Sequence, residues 1–362
     1  MTAAAEVPRY PRRMVTLSSR LGDWELEHVQ QWSDRKLDIK AQPVELIDAT
    51  TKVATIGSCF ASELASMMDE VGIRGAMHPG GLYYSTATIR QELERIAGGF
   101  AERTGEPNWD IGGGWVDPFR DYKQTHPNEP ALLAAREEAE ADADSLFRDA
   151  KVVVVTLGLI ETWRSRLSGA TYRQIPHPAV FPSLAPTFHR LTVDEMLEDL
   201  ERIRRVVRDT FGATMIVTTS PVPLHATFTA LDVRVANTES KSRIRAAVSE
   251  FVDRHPDVHY FHSYEMVTTA ERQSDFFRED GRHVHRHAVR FIVAEFIRLF
   301  GAPEIQLAGV DNSWLTPIEK TAPSPAPKPR PKTAAVPVSF PRRVARGVRR
   351  RARAALGRPT SA

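Results

Sequence analysis

A single cysteine in 362 residues, Cys59, rules out a disulfide framework within the chain and is what a reducing compartment leads one to expect. No stretch approaches the roughly 20 consecutive apolar residues of a spanning helix. The opening segment, residues 1–13, has no apolar centre of signal-peptide length, so the expected location is cytoplasmic. Residues 321–362 hold no Asp or Glu against eleven Lys or Arg; with +2 on the whole chain, the preceding 320 residues carry −9. An acidic body gives no sign of a nucleic-acid partner. The basic tail fits either a solvated extension or peripheral contact with an anionic membrane surface, since Val344, Val348, Ala352 and Leu356 recur every four residues among arginines. There is no nucleotide-binding loop. His283, His285 and His287 alternate without cysteines or clustered carboxylates to complete a ligand set, so neither a metal nor a resident cofactor is expected.

What is present is an ordinary globular composition, 42% hydrophobic and 26% charged, long enough for one large core. Residues 1–48 read as a leader in which Trp24, Leu26, Val29 and Trp32 share one face of a short helix that packs on the main domain. Residues 49–305 form that domain, residues 306–341 a linker whose prolines include Pro323 to Pro331, and residues 342–362 an Arg-rich tail.

Within the main domain, Val53 to Ile56 is a short apolar run, and Phe60, Leu64, Met67, Met68 and Val71 then recur at helical spacing as far as Gly72. Residues 98–130 are rich in Gly, Pro, Asn and Asp and read as a long irregular insertion. A helix over residues 131–147 leads into Val152 to Leu157, a β-branched run expected of a strand covered on both faces. Thr192 and Glu195 form a capping box ahead of the stripe Leu197, Leu200, Ile203, Val207 and Phe211; strands at 215–219 and 258–261, a helix near 239–252 and a last helix through Phe291 to Leu299 complete the alternation. The fold class expected is α/β, a three-layer α/β/α sandwich with a mostly parallel, flavodoxin-like sheet whose ligands bind beyond the carboxyl ends of the strands.

Gly57-Ser58-Cys59 lies where the first strand hands over to a helix. The glycine permits the tight turn, and unpaired amides and the helix dipole there favour developing negative charge and a lowered thiol pKa. Gly57 to Ala61 spells GSCFA. Pro79-Gly80-Gly81-Leu82-Tyr83-Tyr84, Thr156 to Trp163, Thr219-Ser220-Pro221-Val222, Ser240-Lys241-Ser242, Ser263-Tyr264-Glu265 and Asp280-Gly281-Arg282-His283 come after it in order. On these strings, over about residues 45–300, the chain resembles the GSCFA family, a branch of the SGNH/GDSL hydrolase-like superfamily.

The resemblance implies a Gly-Asp-Ser turn after the first strand and an Asp-x-x-His pair near the end, with the serine as nucleophile and the histidine as its base. Asp280 and His283 match the second element; ungapped alignment of the first puts Gly57 on glycine, Ser58 on aspartate and Cys59 on serine. Cys59 is therefore the expected nucleophile with Ser58 as the alternative, His283 the base and Asp280 the group that holds its tautomer. The amide of Cys59 and one from Gly80 or Gly81 are the expected oxyanion hole. Gly158 matches the third-block glycine, but Leu159, Ile160 and Glu161 stand where the superfamily often supplies an asparagine. Glu161 is expected either to bind an acceptor hydroxyl or to make a buried structural hydrogen bond. The activity implied is that of an esterase or O-acyltransferase moving an acyl group, taken as acetyl, on a carbohydrate-type substrate, with an acyl donor such as acetyl-CoA possible as substrate. The alternatives are a degenerate member that binds without turnover, or an assembly factor docked to membrane or nucleic acid through its basic tail.

Overall fold

Apolar β-branched runs too long for a half-wet strand settle in the middle of a covered sheet, and two such runs organise this molecule. The computed structural model describes residues 43–70, 72–100, 105–121, 124–269 and 276–305. The leader helix expected around Trp24 to Trp32, the Pro-rich linker and the Arg-rich tail lie outside the described residues. In chain order come β1 (Lys52–Gly57), α1 (Cys59–Glu70), β2 (Arg74–Met77), α2 (Thr86–Ile96), β3 (Trp109–Asp110), β4 (Trp115–Val116), α3 (Glu129–Asp149) and β5 (Val152–Leu157). After these stand β6 (Glu161–Arg164), β7 (Thr171–Tyr172), the short α4 (Phe181–Leu184), β8 (Thr187–Arg190), α5 (Val193–Arg205), β9 (Thr214–Thr219), α6 (Val233–Arg254), β10 (Val258–Tyr260), α7 (Ser263–Thr268) and α8 (Arg286–Phe300).

The central sheet has the order β10-β9-β5-β1-β2, and every pairing in it is parallel. With the minor strands set aside this is the flavodoxin-like order, and the direction of winding reverses between β1 and β5. Alternate residues of the strands feed two cores. Ala54, Ile56, Val153, Val155, Met215 and Val217 pack with α2, α3, α5 and α6. Val53, Val152, Val154 and Ile216 pack with α1, α7 and α8. The α/β/α sandwich expected from the alternation is thus the observed architecture. Residues 44–47 run beside the end of α8, with Val44 N–H donating to Leu299 O (2.7 Å) and Leu46 N–H to Phe300 O (2.9 Å).

Three features depart from the sequence reading. The insertion after Gly98 is not wholly irregular: the antiparallel β3–β4 pair lies in it, and Trp109, Val116 and Phe119 build a third small core with Ala170 and Tyr172. The stretch around Pro176 to Pro186, whose prolines read as a loop, joins β7 to β8 of a three-stranded antiparallel sheet, β7-β6-β8, which the sequence does not announce. α5 continues into a π-turn over Val206–Thr210 before Gly212 stops it. Among the described residues no helix is long and apolar enough to cross a membrane.

Candidate functional site

The reversal of winding opens a crevice beyond the carboxyl ends of β1 and β5, and the GSC turn stands at its edge. Gly57 ends β1 at φ +140°, where a Cβ would lie 2.1 Å from Thr156 O; only glycine lets β1 keep its register with β5 there. The Ser58 N–H is shared between Thr156 O (3.0 Å) and Thr156 Oγ1 (2.9 Å), and its Oγ lies 3.0 Å from the same hydroxyl. With 2% exposure, Ser58 is turned into the sheet and serves to fasten two strands. Cys59, one residue on, opens α1 and is partly exposed.

Burial pushes the Cys59 thiol up, while the charges of Arg282 and Lys241 pull it down without reversing the balance. The lowered thiol pKa expected from the helix N-terminus is therefore not what the structure gives: loss of hydration outweighs the dipole, and the resting group is a thiol.

Lys241 reaches this point from α6. It is fully buried, donates from Nζ to Gly158 O (2.8 Å) and Ser220 O (2.7 Å), and burial pushes it down to about 7. Next to it, Ser240 Oγ accepts the Ile160 N–H (3.1 Å). Two adjacent residues of one helix thus tie down the loops leaving β5 and β9.

The turn after β2 is held from below by buried charge. His78 Nε2 lies 2.8 Å from Glu92 Oε1, with both side chains essentially unexposed. Against the cost of burial, Arg95, His78 and Arg120 hold the Glu92 carboxyl well below the usual carboxylate range. Gly80 N–H donates to His78 Nδ1 (3.0 Å) and Gly81 N–H to His78 O (3.3 Å). The two amides expected to serve an oxyanion are thus engaged within their own turn. A Cβ on Gly80 would meet His78 Cε1 at 2.3 Å and Arg120 Nη1 at 2.7 Å, so this glycine answers to packing.

Asp280 and His283 meet as expected. Asp280 Oδ1 accepts the N–H groups of Arg282 (3.0 Å) and His283 (2.9 Å), and Oδ2 lies 2.5 Å from His283 Nδ1. Hydrogen bonding from His283 holds the Asp280 carboxyl well below its ordinary value. His283 Nε2 faces Arg282 Nη1 at 3.3 Å. A guanidinium only donates, so Nε2 accepts and the ring proton sits on Nδ1 against Asp280, the tautomer a general base requires. Arg282 Nε also donates to Pro223 O (3.2 Å), tying this turn to the loop after β9. Among the described residues no hydrogen bond joins Cys59 to His283. Arg282 is the group common to both, touching the imidazole and acting by charge on the thiol.

Glu161 accepts the Thr227 hydroxyl (2.5 Å) and the Phe228 N–H (2.8 Å), one on each oxygen, and so holds the loop after β9. It also edges a cleft of about 180 Å³ whose walls include Tyr84, Leu159, Trp163, Ile175, Leu224 and Phe228. Tyr84 is the wall that the thiol acts on by charge: its phenol is pushed up by burial and then by Cys59, and its carbonyl accepts the N–H groups of Gly158 (2.8 Å) and Leu159 (3.1 Å). Among the described residues no group of three or more His, Cys, Asp or Glu is placed to hold a metal ion.

Two site residues escape the sequence reading as actors. Arg282 lies inside the Asp280 to His283 motif, but the motif directs attention to its neighbours. Lys241 has a legible signal: on α6 it falls in the buried stripe Ala236, Ser240, Lys241, Ile244, Ala247, Val248 and Phe251, where a lysine is out of place unless its ammonium is used.

The model of the GSCFA family matches residues 52–296. No curated protein matches the chain.

Proposed function

We propose, from the premise that the chain belongs to the GSCFA family and from the geometry of its crevice, that it moves an acyl group through a thioester on Cys59, with His283 as base and Asp280 holding the imidazole. The observation that carries this reading is the His283 ring: its Nδ1 lies against Asp280, and among the described residues its Nε2 faces Arg282, the residue whose charge also reaches the thiol.

The steps derive from those positions. Because the resting thiol is protonated, the base must act in the encounter with substrate: Nε2 exchanges its contact with Arg282 for the thiol proton. The sulfur then attacks the ester carbonyl, a C–S bond forms, the C–O bond breaks, and the alkoxide leaves with the proton from His283. The oxyanion is met by the Cys59 amide at the start of α1 and by the Arg282 guanidinium, which stands in for the absent asparagine. An acceptor hydroxyl, giving its proton to Nε2, attacks the thioester and restores the thiol. Water as acceptor makes the protein an esterase; a carbohydrate-type hydroxyl makes it an O-acyltransferase, the substrate class the family resemblance points to. The direct experiment is incubation with acyl nitrophenyl esters, and with acetyl-CoA plus sugar acceptors, then mass analysis of the Cys59 peptide. An acyl adduct on that peptide, absent in Cys59→Ala, supports the reading; turnover that persists in Cys59→Ala removes it.

A second reading has a specific observation behind it: the raised thiol and the missing Cys59–His283 contact suit a member that binds an acyl or glycan ligand without turning it over. Saturable binding with no adduct and no turnover decides for it. For residues 321–362, outside the described residues, we propose peripheral contact with an anionic membrane at the cytoplasmic face; loss of vesicle binding on deleting them is the corresponding check.

A further inference from the structure

We infer that the cleft beside Cys59 is an acyl-chain pocket, built for a straight chain of about six carbons. This rests on the acyl-transfer reading above and adds the class of acyl group. Tyr84 and Leu159 line the cleft, and Gly158 between them and the GSC turn has a Cβ position 3.4 Å from the Ser58 Cβ and 3.3 Å from the Tyr84 ring, with Cys59 the next residue after Ser58. A group bound through its carbonyl carbon to Cys59 has this cleft beside it.

The lining is suited to hydrocarbon because its carboxylate, and one nitrogen of its guanidinium, are already bonded elsewhere. Both oxygens of Glu161 are taken by Thr227 and Phe228, and Arg173 Nε donates to Leu82 O (2.6 Å). What remains is the apolar face of Tyr84, Leu159, Trp163, Ile175, Leu224 and Phe228, with two nitrogens buried without a hydrogen-bond partner: the Gln174 amide nitrogen and Arg173 Nη1, the latter 3.6 Å from Asp121 Oδ2. Trp163 is held among three other rings. Phe181, Phe188 and Phe228 each stand 5.3 Å from it, centroid to centroid, and close it in as a wall.

Volume sets the length. An apolar cavity of roughly 150 Å³ accepts a six-carbon ring, and this cleft measures about 180 Å³. Acetyl would leave most of it empty. Each further methylene buried is worth roughly fourfold in transition-state binding, so four of them separate hexanoyl from acetyl by about 10²-fold.

Cys59 is the only cysteine of the chain, which allows a test independent of turnover. Alkyl methanethiosulfonates convert a thiol to a mixed disulfide and release methanesulfinic acid. The full-length protein is labelled with methyl and hexyl reagents, each rate divided by that of a free small thiol, and nitrophenyl esters of two to twelve carbons are assayed alongside. Labelling at least tenfold faster with the hexyl reagent, an ester optimum near six carbons, and loss of both preferences in Ile175→Trp are the expected results. Equal normalised labelling by the two reagents, or Cys59-dependent ester turnover that is flat or falls from acetate upward, overturns the pocket. Faster hexyl labelling with no turnover of any ester keeps the pocket and rejects the acyl-transfer reading instead.

Discussion

Ser58 and Cys59 stand on a strand end whose neighbours are fastened from three directions, whereas Asp280 and His283 stand on a turn whose side chains are about half exposed and hold chiefly each other. The first region has Gly57 against Thr156, Ser58 bonded into β5, and Lys241 clamping the loops above. The second has an isolated bridge between Phe277 and Val284, the two N–H bonds to Asp280, and one bond from Arg282 to Pro223. A nucleophile has to be placed by the sheet because its orientation decides attack. A base has to change partners, and a turn with few outside ties does so at small cost.

The sharpest way to break this contrast is to remove the reacting groups. Cys59→Ala should abolish adduct formation, and His283→Ala should lower kcat/KM by about 10²- to 10⁴-fold, while the melting temperature of His283→Ala stays where it was because the ring supports nothing beneath it. A large drop in melting temperature on losing His283 would mean the two regions are not built differently. Next in size is Gly57→Ala, which forces a Cβ onto Thr156 O in a backbone region hostile to L-residues; a loss of about 4 kcal/mol is expected, seen as a melting temperature lower by roughly 10 °C. The equivalent change at Gly281, whose added Cβ meets nothing within 4 Å, should be far milder.

Lys241→Met tests the clamp through pH. Burial pushes this lysine down to about 7, so between about 7 and its ordinary value near 10.5 the unfolded chain holds a proton that the folded one has released. Stability therefore rises with pH across that window, by at most about 1.4 kcal/mol per unit. The variant should flatten the rise, measured by chemical denaturation at pH 7 and 9. Smallest is Asp280→Asn, expected to cost roughly tenfold in kcat/KM: the exposed carboxylate orients a ring in contact with water, where screening keeps such pairs weak. An unchanged rate would deny Asp280 its part in fixing the tautomer.

The parallel sheet was legible because it is made of apolar runs: Val152 to Leu157 and Met215 to Thr219 read as covered strands and are covered strands. The capping box at Thr192 and Glu195 read equally well, both of its bonds being present. α2 was invisible for the opposite reason. Its apolar stripe is only Ile89, Leu93 and Ile96, and the rest of its buried face is polar, with Arg90, Glu92 and Glu94 settled by ion pairs with Arg95, Asp199 and Arg202 and Gln91 by hydrogen bonds to Thr171, so the hydrophobic period is too short to stand out. β6, β7 and β8 are two to four residues long and lean on the Trp163 aromatic group, a pattern that local sequence does not separate from a proline-rich loop. Within the site, Asp280 with His283 came only from the family resemblance that Asp280-Gly281-Arg282-His283 carries. The state of the Cys59 thiol depends on burial, which no motif encodes.

β1, the strand that ends at the GSC turn, lies inside the sheet, paired on one side with β2 and on the other with β5, its register joining Val53 to Val152 across about a hundred residues of chain. During translation β2 emerges at once, but β5 arrives only after roughly 5 to 20 s of further elongation. For that interval the newborn protein carries an apolar strand with one open edge and a cysteine beside it. A ribosome pausing before codon 152 would therefore expose the stretch most apt to pair with the wrong neighbour, and chaperone dependence should be concentrated in that window.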